Sequence, residues 1–381
     1  MEFSFSLSSI ILLLGITQGL FLVFLLLGKV DNKEANRFLA LLIFSYSAFL
    51  VESSLAGTEI TKEYPHILGL TSGVVFLIGP FHFLYARTLI SSKKEFAKTD
   101  LLHFLPFLIF YLYFLFPFYL QSGEFKITFF DLIDKTGPTL ELRLFSWAVL
   151  IQGVIYMVAT LKLLRKHVDD IKRNFSSLEA INLSWLRRIT FISMIVWVFG
   201  IIIEIVQISN PVTTLQGLVP ISIAFLIYTM GYLGLRQPEI FSGASDEQMA
   251  DPSKYERSGL SESSARRIHQ KLLALMNKQH VYRDSDLKLN QLAHELSTSS
   301  NYLSQVINQI EEQNFYDFIN EYRINDVKKK MRDDKYANQT ILSLAYEAGF
   351  NSKSAFNTAF KKHTDMTPSQ YKNSIETKSS Q

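Results

Sequence analysis

Cysteine is absent from all 381 residues. That excludes a disulfide scaffold and every thiolate-based metal or redox site. Charge is scarce too, at 19% Asp, Glu, Lys and Arg, where a soluble domain carries about 25%. Also missing are the short signatures of catalysis. No His-Glu-x-x-His, Gly-x-Ser-x-Gly, P-loop, Gly-rich dinucleotide turn or kinase-type segment occurs, so no enzyme activity and no cofactor are expected. The eight histidines are isolated, without metal-ligand spacing.

What charge there is lies unevenly. Up to about residue 235 the chain is a series of long apolar runs, and from Arg236 onward it is polar. A helix needs roughly 20 apolar residues to cross a hydrocarbon core. Runs at about 5–28, 38–57, 67–89, 101–120, 142–163, 189–208 and 214–235 meet that length and predict seven spans. The first is no signal peptide, because no Lys or Arg precedes it and six further runs follow. Loops after the first, third and fifth runs hold 14 Lys and Arg, seven of them between Lys162 and Arg188, and the alternate side holds 4. The bias places the N-terminus outside and the C-terminus in the cytoplasm.

Few ionisable groups lie within the runs. Glu52 and Glu204 fall toward the outer ends of the second and sixth, His82 and His103 toward the cytoplasmic ends of the third and fourth. Burying such groups is costly, which makes all four candidate sensing residues; groups near span ends that simply reach interfacial water are the alternative. Gly79-Pro80 predicts a kink in the third span. The longest outer connection, about 121–141, is too short for a folded extracellular domain, so a signal would be sensed in the bundle, by a partner or from the lipid.

Residues 237–262 read as a cytoplasmic linker, with Pro238, Gly243, Pro252 and no sustained period. A helix follows, marked by Ile268, Leu272, Leu273 and Met276. Leu289, Leu292, Ala293 and Leu296 then form one apolar face, and Leu303, Val306, Ile307 and Ile310 a second after a break at 297–299. Two short helices with a tight turn make a helix-turn-helix. The pattern recurs as Ile341, Leu344, Ala345 and Ala348, then Phe356, Ala359 and Phe360, with Gly349 where a positive φ is most easily met. The units span about 287–309 and 340–363, joined by a helix buried through Phe315, Phe318, Ile319 and Tyr322. Their other faces are polar: Asn301, Ser304, Gln305 and Asn308 on one, Lys353, Ser354, Asn357, Thr358 and Lys361 on the other. Side chains of this type can read base edges. From Ser263 on there are 17 Lys or Arg against 13 Asp or Glu, and the cluster Lys328, Lys329, Lys330, Arg332 suits phosphate contact or a solvated face.

The segments LNQLAHEL, STSSNYLSQVIN, NFYDFINEYRIND, ILSLAYEAGFNSKSAFNTAFKKH and TPSQY resemble the AraC/XylS-type DNA-binding domain over about 285–375. Asp365 departs from the glycine usual before Met-Thr-Pro. Gly79-Pro80, Tyr85-Ala86-Arg87 and Leu102-His103-Phe104-Leu105-Pro106 resemble the membrane-embedded members of that family in bacteria. The resemblance implies an all-α protein: a seven-helix transmembrane sensor at 1–236 and a DNA-binding domain at 263–381. It further implies the cytoplasmic membrane as location, double-stranded DNA as partner, an unknown signal ligand, and compatibility with a homodimer. It would put Asn301, Ser304 and Gln305 in one major groove and Lys353, Ser354 and Thr358 in the next, about 34 Å away. Lys353 suits guanine and Gln305 adenine, while Asn357 and Lys361 suit phosphate. A second reading stays open, a membrane transporter or sensor whose tail binds a protein partner.

Overall fold

The computed structural model describes residues 7–30, 32–90, 96–179, 181–209, 217–235 and 260–379. The protein is all-α: sixteen α-helices and no strand among the described residues, with one isolated bridge between Phe175 and Lys288. It divides into two units. One comprises 1–165 and 183–245, the other 166–182 and 246–381. The short stretch 166–182, which the sequence assigns to the membrane part, therefore groups with the C-terminal unit. The expected linker at 237–262 lies almost wholly outside the described residues.

The first unit is built from α1 (Leu7–Leu27), α2 (Lys33–Leu55), the short α3 (Glu59–Glu63), α4 (Val75–Ile90), α5 (Leu105–Phe114), α6 (Gly123–Thr136), α7 (Leu140–Asn174), α8 (Ser184–Ser209) and α9 (Leu218–Leu235). Six of the helical stretches are long and apolar enough to cross a membrane, and Leu218–Gly234 is a shorter apolar helix. Their inward faces form a core around Leu42, Ile43, Leu50, Ile78, Trp185 and Leu226. Their outward faces are also apolar, with Phe24, Phe116, Ile155 and Phe225 all more than half exposed. In water such a surface would aggregate; against lipid it costs nothing.

Two regions differ from the sequence expectation. The connection 121–141 is mostly helix: Ser122 caps α6 by accepting from the Phe125 amide at 3.3 Å, and Phe129 and Phe130 pack on Phe118 in an aromatic cluster. The expected fifth span ends near 163, yet α7 runs on to Asn174, because no Gly or Pro interrupts its polar continuation. Pro80 sits inside the continuous helix α4, one residue after Gly79, whose Cα faces the Tyr156 ring. Near the end of α4, Arg87 forks onto both carboxylate oxygens of Asp100 at 2.7 and 2.5 Å.

The C-terminal unit holds α10 (Glu262–Ala274), α11 (Leu289–Glu295), α12 (Ser300–Ile310), α13 (Phe315–Lys330), α14 (Ile341–Glu347), α15 (Lys353–Thr364) and α16 (Pro368–Ser379). It has two small cores strung on one helix. The first half of α13 gives Phe315, Phe318 and Ile319 to the core of α10, α11 and α12. The second half gives Ile324 and Val327 to that of α14 and α15. Each large side chain buried this way contributes about 1.5–3 kcal/mol. Since α13 belongs to both cores, it holds the two pairs at one separation.

Candidate nucleic-acid interface

Each helix pair is set by caps and a tight turn. Ser299 caps α12, accepting from the Tyr302 amide at 3.2 Å, and Ser352 caps α15, accepting from the Ala355 amide at 3.1 Å. Caps of this kind satisfy amides a helix start leaves unpaired. In the first turn Ser297 takes φ 54° and in the second Gly349 takes φ 100°. A Cβ on Gly349 would lie 2.7 Å from the Tyr282 carbonyl oxygen, so the second turn is closed to larger residues.

On α15 the apolar stripe Phe356, Ala359 and Phe360 is buried, which leaves Lys353, Ser354, Asn357, Thr358 and Lys361 all exposed. An open groove beside α14 and α16 runs past Lys353, Asn357, Thr358 and Lys361. On α12 Leu303, Val306 and Ile307 are buried, and Asn301 and Gln305 are half-exposed. Ser304 is a correction: it is 2% exposed, and the Asn308 amide donates to its carbonyl at 2.9 Å. Its face turns inward, so Asn308 and Gln309, both exposed, hold the outward positions. Tyr302 is half-exposed at the start of the same helix, whose angle the sequence pattern fixes only to within about one residue. A shallow concavity at the first turn is lined by His294, Ser297, Thr298, Ser299 and Tyr302.

Residues 292–374 match the family described as "Helix-turn-helix domain". The melibiose operon regulatory protein of Escherichia coli (strain K12) is 30% identical over 89 residues, 23% of this chain and 28% of that protein. An uncharacterized HTH-type transcriptional regulator of Staphylococcus aureus (strain COL) is 33% identical over 87 residues, 23% of this chain and 11% of its own length. One from Pseudoalteromonas carrageenovora is 31% identical over 88 residues, 23% of this chain and half of that protein. The C-terminal region is an AraC-type helix-turn-helix domain. The match covers only part of these relatives, and no solved structure matches.

Within the AraC-type domain the basic cluster after Arg323 is mostly engaged. Lys330 is buried between Asp326 at 3.6 Å and Glu347 at 3.0 Å, and its hydrogen bond holds the Glu347 carboxyl below the usual range. Arg332 donates to the Tyr371 hydroxyl at 2.7 Å. Lys329 alone of the four is exposed apart from Arg332. Arg283 adds a fork onto Asp326, 3.1 Å for each bond.

Arg323 itself, 1% exposed, is the polar centre of the domain. It donates to the carbonyls of Tyr282 and Asp284, each at 2.7 Å. It also donates to the carbonyl and the hydroxyl of Ser176, each at 3.1 Å. Burial pulls its guanidinium down to about 10. The Ser176 amide donates to the Leu287 carbonyl at 3.2 Å. Asn351 donates to the Ser177 hydroxyl at 3.1 Å, and the Ser352 hydroxyl donates to the Glu179 carboxylate. No sequence signal marks these contacts of 176–179, because the partners lie 111 to 174 positions apart.

The candidate sensing residues of the first unit do not come together. Both oxygens of Glu52 are taken by Thr71 and Ser72, which makes it the cap of a tight turn. Glu204 is half-buried on α8. His103 Nδ1 pairs with the Tyr156 hydroxyl at 2.7 Å. His82, wholly buried, has its Nε2 2.9 Å from the Thr190 hydroxyl. Thr190 donates that proton to the Leu186 carbonyl, so Nε2 carries the hydrogen and donates. His82 also lines a cavity of about 50 Å³ with Leu26, Lys29, Tyr85, Trp185 and Met230. Three of the lining residues carry a buried polar atom without a hydrogen-bond partner, namely His82 Nδ1, the Tyr85 hydroxyl and Trp185 Nε1, but the cavity surface itself is almost wholly apolar.

Proposed function

We propose that this chain is a membrane-tethered, one-component transcription regulator, binding promoter DNA in a sequence-specific manner under the control of its N-terminal bundle. One observation carries the reading. Two helix-turn-helix pairs share α13, and α15 presents five exposed polar or cationic side chains free of any acidic neighbour on its own first turn. A pair of recognition helices held at a fixed separation reads two successive major grooves. Lys353 and Gln305 are the base-reading candidates, and Asn357 and Lys361 the phosphate contacts. Tethering is supported by six apolar helices with apolar outer faces, and cytoplasmic placement of the domain by the Lys and Arg bias of the loops. Sensing is supported by the small cavity beside His82, whose lining is almost wholly apolar and would suit an apolar molecule.

The test is binding of the full chain, reconstituted in nanodiscs, to genomic fragments that include the promoter beside its own gene. Discrete sites of about two adjacent major grooves that survive competitor DNA are expected. Sequence-blind binding that vanishes as salt rises would overturn the reading in favour of a tail that binds a protein partner.

A further inference from the structure

The start of α15, at Asn351 and Ser352, is already in contact with another part of the chain. We propose that residues 175–179 are an inhibitory strap, docked on the AraC-type domain so that strap docking and DNA binding by the second unit exclude each other. The proposal rests on the DNA-binding reading above.

The strap is anchored at one end and poised at the other. Phe175 bridges to Lys288, the Ser176 amide donates to Leu287, and Arg323 donates twice to Ser176. These bonds are buried and fix the register. Farther along, the contacts move onto the start of the recognition helix: Asn351 to Ser177, and Ser352, the N-cap of α15, to Glu179. Asn351 and Glu179 are exposed, so this end is held by the weakest kind of polar contact.

The charge at that end is what makes the strap inhibitory. A helix start carries unpaired amides and the positive end of the dipole, and it is a standard place for a DNA phosphate to bind. Here the Glu179 carboxylate accepts from the hydroxyl of Ser352, the residue that caps those amides, immediately before the exposed Lys353 and Ser354. A phosphate approaching the start of α15 meets a negative charge beside it. Release does not strand Arg323, which keeps the carbonyls of Tyr282 and Asp284 as acceptors. The strap is continuous with α7 on one side and leads into α8 on the other. A movement of either apolar helix therefore acts on it through the chain, without passing along the connection 236–259.

The absence of native cysteine permits a clean test. In the full chain in nanodiscs, Ser177→Cys and Asn351→Cys together place thiols at two residues now hydrogen-bonded at 3.1 Å. A short, reducible bis-methanethiosulfonate crosslinker locks the strap in place. The probe is a random-sequence duplex pool long enough for two adjacent major grooves. The locked chain is expected to bind at least about tenfold more weakly than the same sample after reduction, because one unit's contacts are lost. Glu179→Gln is expected to tighten binding by about two- to fivefold, the effect of one charge at a helix end. Equal affinity before and after reduction, or no tightening by Glu179→Gln, overturns the strap. Failure of the unlocked wild-type chain to bind any duplex overturns the DNA-binding reading itself, and the strap with it.

Discussion

Arg323 on α13 and Ser176, 147 positions earlier, are joined by two hydrogen bonds of 3.1 Å, one to the carbonyl and one to the hydroxyl. The planar guanidinium fork serves these and the carbonyls of Tyr282 and Asp284 at once, which an ammonium cannot reproduce. Arg323→Lys should therefore destabilise the C-terminal unit by roughly 3 kcal/mol, since buried acceptors lose their donor. Ser176→Ala removes only the hydroxyl and should cost about 1 kcal/mol. Thermal unfolding followed at the AraC-type domain checks both; equal losses would show that the fork is not what the site uses.

The two turns make a matched pair of backbone predictions. Gly349 has φ 100° and no room for a Cβ, while Ser297 has φ 54° in the equivalent turn. Gly349→Ala should destabilise by well over 1 kcal/mol, and Ser297→Gly should stabilise by several tenths of a kcal/mol or more. Asp365 is also left-handed, φ 57°, with its amide bonded to the Lys361 carbonyl at 2.9 Å. That is the helix-ending position that glycine fills most readily. Asp365→Gly should thus stabilise by about 1 kcal/mol, and a loss in denaturant midpoint would contradict it.

Lys353 and Lys361 sit on one exposed helix face but should behave differently on DNA. Lys353→Ala is expected to cost about 1–3 kcal/mol concentrated at one base position. Lys361→Ala should weaken all sequences alike and lower the salt slope by about one. Binding to a panel of single-base variants of a selected site, over a salt series, separates the two. Identical profiles would assign both to phosphate.

His363 on α15 adds a pH dependence. It is half-buried, its Nε2 lacks a partner, and burial holds its pKa below the ordinary 6.5. The unfolded chain then takes up this proton at higher pH than the folded one, so stability falls as pH drops through about 6.5. Carboxylates such as Glu347 lose their contribution only in a more acidic range. The melting temperature of the C-terminal unit should decline from pH about 7 to about 5, and His363→Gln should flatten that decline. An unaltered slope in the variant would place the titration elsewhere.

Much of this protein was legible in its residues because the signals are local. A run of apolar residues announces a membrane-length helix wherever its neighbours lie, and six such helices are present. The repeated i, i+3, i+4 stripe put the helix pairs within a residue or two of α11, α12, α14 and α15, and Gly349 marked the turn that needs a positive φ. The Thr367-Pro368 pair marked the start of α16, where Thr367 and Gln370 cap each other. The exposed set on α15 followed from the same stripe, because what is not on the buried face is outside.

Other features required the tertiary structure, for one physical reason: polarity states what a side chain can bond, not what it meets. Ser304 looks like part of an outward face and is buried; Lys330 suits a phosphate contact or a solvated face and is instead buried on Asp326 and Glu347. Glu52 offers a carboxylate near a span end, and what it meets is Thr71 and Ser72. Local pattern marks most of the apolar helices and the tandem units, since these depend on neighbours within a few residues, but not α6, which falls in a stretch expected as a loop. The placement of 175–179 against Arg323 and the start of α15 comes from folding alone, since Arg323 and Ser176 find each other across 147 residues by burial and hydrogen bonding that no local pattern encodes.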